Sequence, residues 1–272
     1  HRPVENVTVD KALDIRPHSD GERDFYVVSD QDAALRGGAV EHEHVLGIGG
    51  ASMSLARAVI RTPVQRALDL GTGCGIQALH LNGHCADIVA TDTNPRALTL
   101  ARATAGINGM SWDLRPGSLF EPVAGERFDL IVSNPPFVVG AGAQDYIYRD
   151  SGVAGDGLCR TIIENVGNYL TPGGTAQIMA NWIVREDDWR SRVPEWLAGT
   201  GLHAWVVQRE LADPVSYVSL WLADAGESAE QIARRGADWL DWFDAEGITG
   251  IGMGLISLQV PGPGEEPEQI LE

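Results

Sequence analysis

Apolar positions along the chain fall into short runs separated by longer mixed stretches, and the spacing of the two predicts an alternation of strands and helices. Arg66–Leu70 reads as a buried strand, Ile88–Ala90 as a short one, and Phe128–Ser133 and Ala176–Met179 as two more. Pro95–Ile107 reads as a helix with Asn94 as its cap and proline at its first position. Alternation of this kind from about residue 41 to 223 predicts an α/β fold with a Rossmann-like, doubly wound sheet. Ahead of it, Ala12–Arg16 and Asp24–Val28 flank Ser19-Asp20-Gly21, a plausible hairpin. Late in the chain, His203–Val207 and Val215–Leu222 flank Ala212-Asp213-Pro214 and read as a terminal hairpin. A helix with an apolar face (Ile232, Trp239, Leu240, Trp242, Phe243), a glycine-rich strand near Ile251–Val260 and a Pro/Glu-rich tail follow. The expected division is therefore a strand-rich extension over 1–40, the main domain over 41–223, a helix–strand addition over 224–260 and an acidic tail over 261–272.

Composition narrows the partners. With 272 residues, 44% of them hydrophobic and 21% charged, the chain has enough apolar material for one full α/β domain plus additions. Its net charge is −18, and Lys11 is its single lysine. A surface that grips nucleic acid neutralises phosphates with clustered Lys and Arg, so bulk RNA or DNA is disfavoured as a partner. Three cysteines, Cys74, Cys85 and Cys159, form no disulfide framework and point to a reducing, cytoplasmic setting. With no run of eighteen apolar residues and no leader-like start, neither a membrane span nor a secretory signal is expected.

Two motifs carry the chemistry. Asn134-Pro135-Pro136-Phe137 stands at the carboxyl end of a strand, where open α/β sheets present their ligands. Asn134 offers an amide oxygen, the Pro135 carbonyl offers a second acceptor, and two prolines remove two N–H donors from the surface. Phe137 adds a ring on which a planar group can stack. Together these suit a flat NH2 group; the plainer reading is a strand ending in a rigid turn. Upstream, Asp69-Leu70 leads into Gly71-Thr72-Gly73-Cys74-Gly75, a side-chain-poor loop that lets a ligand approach the backbone. Asp92 follows the next strand, placed to take the hydroxyls of a ribose or, alternatively, to cap the helix after it.

These segments, in order and spacing, resemble the S-adenosylmethionine-dependent methyltransferases that act on planar nitrogen: glutamine N5-methyltransferases, small-domain rRNA guanine methyltransferases and adenine N6-methyltransferases. Gly155-Asp156-Gly157-Leu158, Thr161-Ile162-Ile163 and Leu170-Thr171-Pro172-Gly173-Gly174 look like the segment that follows the motif in the release-factor glutamine enzymes. The resemblance implies a seven-stranded sheet whose last strand runs antiparallel, S-adenosyl-L-methionine as cofactor, and no metal. It implies that Asn134, Pro135, Pro136 and Phe137 handle the acceptor. Asp69, Gly71, Thr72, Gly73 and Gly75, with Asp92, Thr93, Ser118, Leu119 and Asn134, would surround the cofactor. The chain departs from the glutamine enzymes in having Phe137 where they have Tyr, and Ser118 where an Asp is frequent. The region before residue 60 does not resemble their substrate-recognition domain.

The expected activity is methyl transfer to an amide or amino nitrogen of a protein side chain or small molecule. The alternatives are a base-amino methyltransferase of RNA or DNA and a non-catalytic module that binds the cofactor; a nicotinamide dehydrogenase leaves the Asn-Pro-Pro-Phe segment unexplained. Gly47-Ile48-Gly49-Gly50 is either a simple loop or a contact to the methionine part of the cofactor. Val138–Ala154, with Tyr146, Tyr148 and Arg149, is the expected lid or substrate wall. His42 and His44 in Glu41-His42-Glu43-His44 lack further partners at metal-binding spacing and read as loop charges. Trp239-Leu240-Asp241-Trp242-Phe243 reads as a helix face packed on the sheet.

Overall fold

The computed structural model describes residues 13–32, 40–142, 146–186, 188–224 and 229–272. Lys11, Ala12 and the middle of the expected lid, residues 143–145, lie outside the described residues.

The described residues begin with the expected hairpin: β1 (Leu13–Ser19) pairs antiparallel with β2 (Asp24–Asp30). Then come α1 (Gly50–Ala58), β3 (Val64–Leu70), α2 (Ile76–Leu81), β4 (Cys85–Asp92), α3 (Pro95–Ile107), β5 (Asp113–Pro116), β6 (Phe128–Ser133), α4 (Gly157–Val166) and β7 (Leu170–Val184). The second half holds α5 (Arg192–Leu197), β8 (His203–Ala212), α6 (Pro214–Asp224), α7 (Ala229–Ala245), β9 (Gly250–Gln259) and β10 (Gln269–Leu271). The central sheet runs β10-β8-β9-β7-β6-β3-β4-β5. Strands β3 to β7 are parallel, and β9 lies antiparallel between β7 and β8. Seven strands form the expected Rossmann-like sheet, and β10 adds an eighth beside β8.

Each face of the sheet is covered by helices, and the period of two along each strand divides the core. Leu68 and Ile131 point to one side with Ile162, Trp182 and Trp196; Ala67, Leu130 and Val132 point to the other with Leu55, Leu79 and Leu100. The β1–β2 hairpin hooks onto α3, where the Tyr26 N–H donates to Asn108 Oδ1 at 2.9 Å and the Val28 N–H to Thr104 Oγ1 at 3.0 Å. Buried Asp30 fixes its end by accepting from the Val45 N–H and from Arg96, and these bonds hold its carboxyl below the usual range against the opposing effect of burial. No helix among the described residues is long and apolar enough to cross a membrane.

The terminal hairpin differs from the expectation in its second strand. Val215–Leu222 is helical, within α6, because Asp213 caps it: its Oδ1 accepts from the N–H groups of Val215 and Ser216, both at 3.0 Å, and Pro214 opens the first turn. Tyr217, Val218 and Leu222 then share the buried face of this helix. The partner of β8 is instead β9, so Gly250–Gln259, expected in an addition, is interior to the sheet and α6–α7 is an insertion between β8 and β9. Its glycines serve packing. A Cβ at Gly252 would stand 2.1 Å from Trp182 Nε1, so only a bare backbone admits the buried indole.

Candidate active site

The carboxyl ends of β3, β4 and β6 open into one cavity of about 480 Å³. Its floor is the turn after β3. Asp69, 0% exposed, accepts the Thr72 hydroxyl at 2.7 Å and the Ala78 N–H at 3.0 Å on one oxygen, tying the loop to α2. Its other oxygen has no hydrogen-bond partner among the described residues, and burial pushes its pKa up to about 7. The N–H groups of Gly71 and Thr72 both donate to the Thr91 carbonyl of β4. Gly71 and Gly73 have φ of 77° and 56°, and a Cβ on either would meet nothing within 4 Å, so this left-handed turn faces the open cavity.

Asp69 and Gly75 do not line the cavity, unlike the other residues expected there. Asp69 lies beneath the loop. Gly75 faces backwards, where a Cβ would approach Trp112 to 2.6 Å, so its glycine serves the packing of α2. Buried Cys74 is no nucleophile, its thiol pushed up to about 12 by desolvation.

Asp92, at the tip of β4, accepts from the Gly73 N–H on Oδ2 and from the Asn94 N–H on Oδ1, both at 2.9 Å. Burial raises its pKa above the ordinary value, and these bonds oppose the rise. A carboxylate has about four acceptor positions, and with the Thr93 N–H also acting on it at least one remains for a ligand. Asn94 caps α3 as expected, its Oδ1 accepting from the Arg96 N–H, which leaves Asp92 for the cavity. Thr93, Ser118 and Leu119 also line it, Leu119 in the left-handed region at φ 48°.

The third wall is Asn134-Pro135-Pro136-Phe137 at the end of β6. Asn134 Nδ2 lies 3.4 Å from Ser52 Oγ of α1, which turns the amide oxygen the other way. That oxygen is buried and has no hydrogen-bond partner among the described residues. Phe137 meets Trp221 of α6 edge to face, centroids 6.1 Å apart. The insertion also clamps the chain beyond the motif: the Val139 N–H donates to the Tyr217 hydroxyl at 2.8 Å, and Trp239 Nε1 donates to the Val139 carbonyl at 3.0 Å. Asn181 Nδ2 donates to the same hydroxyl at 2.9 Å.

Trp221, Tyr217 and Ser52 escape the sequence reading. A signal for the first two exists in Asp213-Pro214, a helix start that places Tyr217 and Trp221 one turn apart. Gly47, Gly49 and Gly50 do reach the cavity, at the start of α1. His44 is buried near Asp30, at 3.8 Å, instead of being a solvated loop charge, and no cluster of three or more metal-ligating side chains occurs among the described residues. Trp239 packs inward, against Tyr217 and Phe243.

The methyltransferase small-domain family model matches residues 47–188, just over half of the chain. The chain belongs to the methyltransferase small-domain family. The matched stretch runs from the glycines before α1, through both ligand-facing turns and the Asn-Pro-Pro-Phe wall, to just beyond β7. A release factor glutamine methyltransferase of Geobacter sulfurreducens is 38% identical over 119 residues, 39% of this chain and 42% of the relative. A ribosomal RNA small subunit methyltransferase C of Salmonella arizonae is 31% identical over 118 residues, 43% of this chain and 31% of the relative. The chain thus spans less than half the length of the curated relatives it matches. A T. thermophilus 16S rRNA methyltransferase, solved with AdoMet and guanosine, superposes with a TM-score of 0.53 at 17% identity, covering 72% of this chain and 48% of that one; the likeness is one of fold.

Proposed function

We propose that this member of the methyltransferase small-domain family transfers a methyl group from S-adenosyl-L-methionine to an amide or amino nitrogen of a protein side chain or small molecule. The observation that carries the reading is the buried, unpartnered oxygen of Asn134 in the cavity wall. Such an acceptor is costly to leave unmet, and an N–H of the acceptor group meets it.

The cavity fits the cofactor. Gly71 and Gly73 turn bare backbone towards the amino-acid end, the free acceptor capacity of Asp92 suits ribose hydroxyls, and Ser118 with Leu119 bounds the space for the adenine. When bound, S-adenosylmethionine supplies an electrophilic methyl on a sulfonium. The residues of the chain then have mainly to place the acceptor, and alignment of this kind lowers a barrier by roughly 7–11 kcal/mol. Asn134 Oδ1 and the Pro135 carbonyl accept from the acceptor's two N–H groups. They would hold its lone pair towards the methyl and stabilise the positive charge that grows on nitrogen as the S–CH3 bond breaks in line; the sulfur would leave as a neutral thioether and the methylated nitrogen would lose its proton to solvent. The rings of Phe137 and Trp221 fix the acceptor plane. The family resemblance to rRNA enzymes such as the Salmonella relative favours a second reading, a base-amino acceptor, which the −18 charge opposes.

Methyl-labelled cofactor incubated with the protein and a cell extract, then separated into protein, RNA and small molecules, tests the reading. Label in protein or small molecules supports it. Label on RNA establishes the second reading, and cofactor binding with label in no fraction reduces the chain to a binding module.

A further inference from the structure

The same cavity has a buried cation in its wall. Arg149 is 2% exposed. Its Nε donates to Asp150 Oδ1 at 3.2 Å, its Nη1 donates to the Trp221 carbonyl, and the Tyr146 ring lies 4.6 Å from its Cζ. Nη2 has no hydrogen-bond partner among the described residues. A guanidinium cannot shed its proton to escape this, so a buried Nη2 without an acceptor persists only where something else repays it.

The position of Arg149 indicates what that is. Its backbone carbonyl accepts from the Val138 N–H at 3.2 Å, one residue beyond Phe137. The carbonyl that holds its Nη1 belongs to Trp221, whose ring packs on Phe137. Arg149 is therefore fixed to both aromatic walls of the acceptor slot, while Asn134 supplies that slot with an unmet acceptor. Asn134 and Arg149 line the same small cavity, and an unmet acceptor on one with an unmet donor on the other is complementary to a planar group that carries both N–H and oxygen. The ion pair with Asp150 offsets the charge, so the site suits a neutral oxygen.

We propose that Arg149 is a specificity-determining residue that donates from Nη2 to the carbonyl oxygen of a carboxamide acceptor, the NH2 of which is held by Asn134. This rests on the methyl-transfer reading above and adds to it the group that reads the other half of the acceptor. A simple amine, which lacks the oxygen, leaves Nη2 unmet and is rejected.

The test measures initial rates of methyl transfer from labelled S-adenosylmethionine to N-acetylglutamine methylamide, N-acetylornithine methylamide and guanosine, with the parent, Arg149→Lys and Arg149→Met. Arg149→Lys keeps the charge beside Asp150 but loses the planar fork, so it separates recognition from folding. The expected result is transfer to the glutamine probe alone. KM for that probe rises at least tenfold in both variants, while the cofactor Kd by calorimetry stays within twofold of the parent. An Arg149→Lys KM within twofold of the parent overturns the proposal, as does equal use of the ornithine probe, exclusive use of guanosine, or loss of cofactor affinity in the lysine variant. If the parent binds no cofactor or moves no label to any probe, the methyl-transfer reading itself falls, a result distinct from transfer that ignores Arg149.

Discussion

Asp69 and Asp92 belong to adjacent strands and occupy opposite sides of one glycine turn, and their surroundings give them different tasks. Asp92 faces the cavity with acceptor capacity to spare. Asp92→Asn should weaken S-adenosylmethionine binding about tenfold by calorimetric titration, because hydrogen bonds to a charged acceptor are worth roughly 1.5–3 kcal/mol each. An unchanged affinity would remove Asp92 from the cofactor site. Asp69 is internal, and its carboxyl is raised to about 7 by desolvation. With the folded value above the unfolded one, the folded state holds the extra proton between about pH 4 and pH 7. This group's contribution to stability is therefore full below pH 4 and is lost as pH rises through 7, by roughly 2–4 kcal/mol. Asp69→Asn cannot titrate. Its urea midpoint relative to the parent should climb between pH 5 and pH 8; a constant difference would show that Asp69 is ionised throughout.

At the scale of elements, the α6–α7 insertion distinguishes the site from what the motifs alone convey. Tyr217 is fully buried, and its hydroxyl receives both the Val139 N–H and Asn181 Nδ2. Tyr217→Phe leaves two buried donors unmet and should cost roughly 1–3 kcal/mol in urea unfolding. It should also slow methyl transfer while sparing cofactor affinity, since Val139 lies just beyond Phe137 and away from the glycine turn. Equal stability of parent and variant would show that the clamp contributes nothing. The same insertion explains what the sequence conceals. Val215, Val218, Leu220 and Leu222 look like strand residues until Asp213 and Pro214 are read as a cap. The glycine-rich strand near Ile251–Val260 is legible, but its place inside the sheet is not, since nothing local shows that Gly252 and Gly254 are bare to admit the buried Trp182. By contrast, α3 and β6 have the residue boundaries expected from sequence, because a proline cap and an apolar run are local signals.

Over the whole molecule, the parallel strands and the cavity at their carboxyl ends were legible because a doubly wound sheet gathers its ligand-facing turns at one edge, so that short motifs far apart in sequence converge. Gly75 and Asp69 were misplaced by one layer, since spacing alone does not tell a residue that faces the cavity from one that supports it. Net charge is also a property of the whole chain. At −18, binding to bulk RNA should be weaker than about 10⁻⁴ M at physiological salt and should lack a steep salt slope; tight, salt-sensitive binding would contradict the acceptor assignment. The central claim is that the free oxygen of Asn134 holds the nitrogen that is methylated. Its most direct measurement compares methyl transfer and cofactor affinity in the parent and Asn134→Ala. Transfer should fall about 10²-fold or more while cofactor affinity stays within a few-fold, the pattern of a preorganised contact to the reacting group. Transfer at the parent rate would contradict the claim and leave the Asn-Pro-Pro-Phe wall as a structural turn.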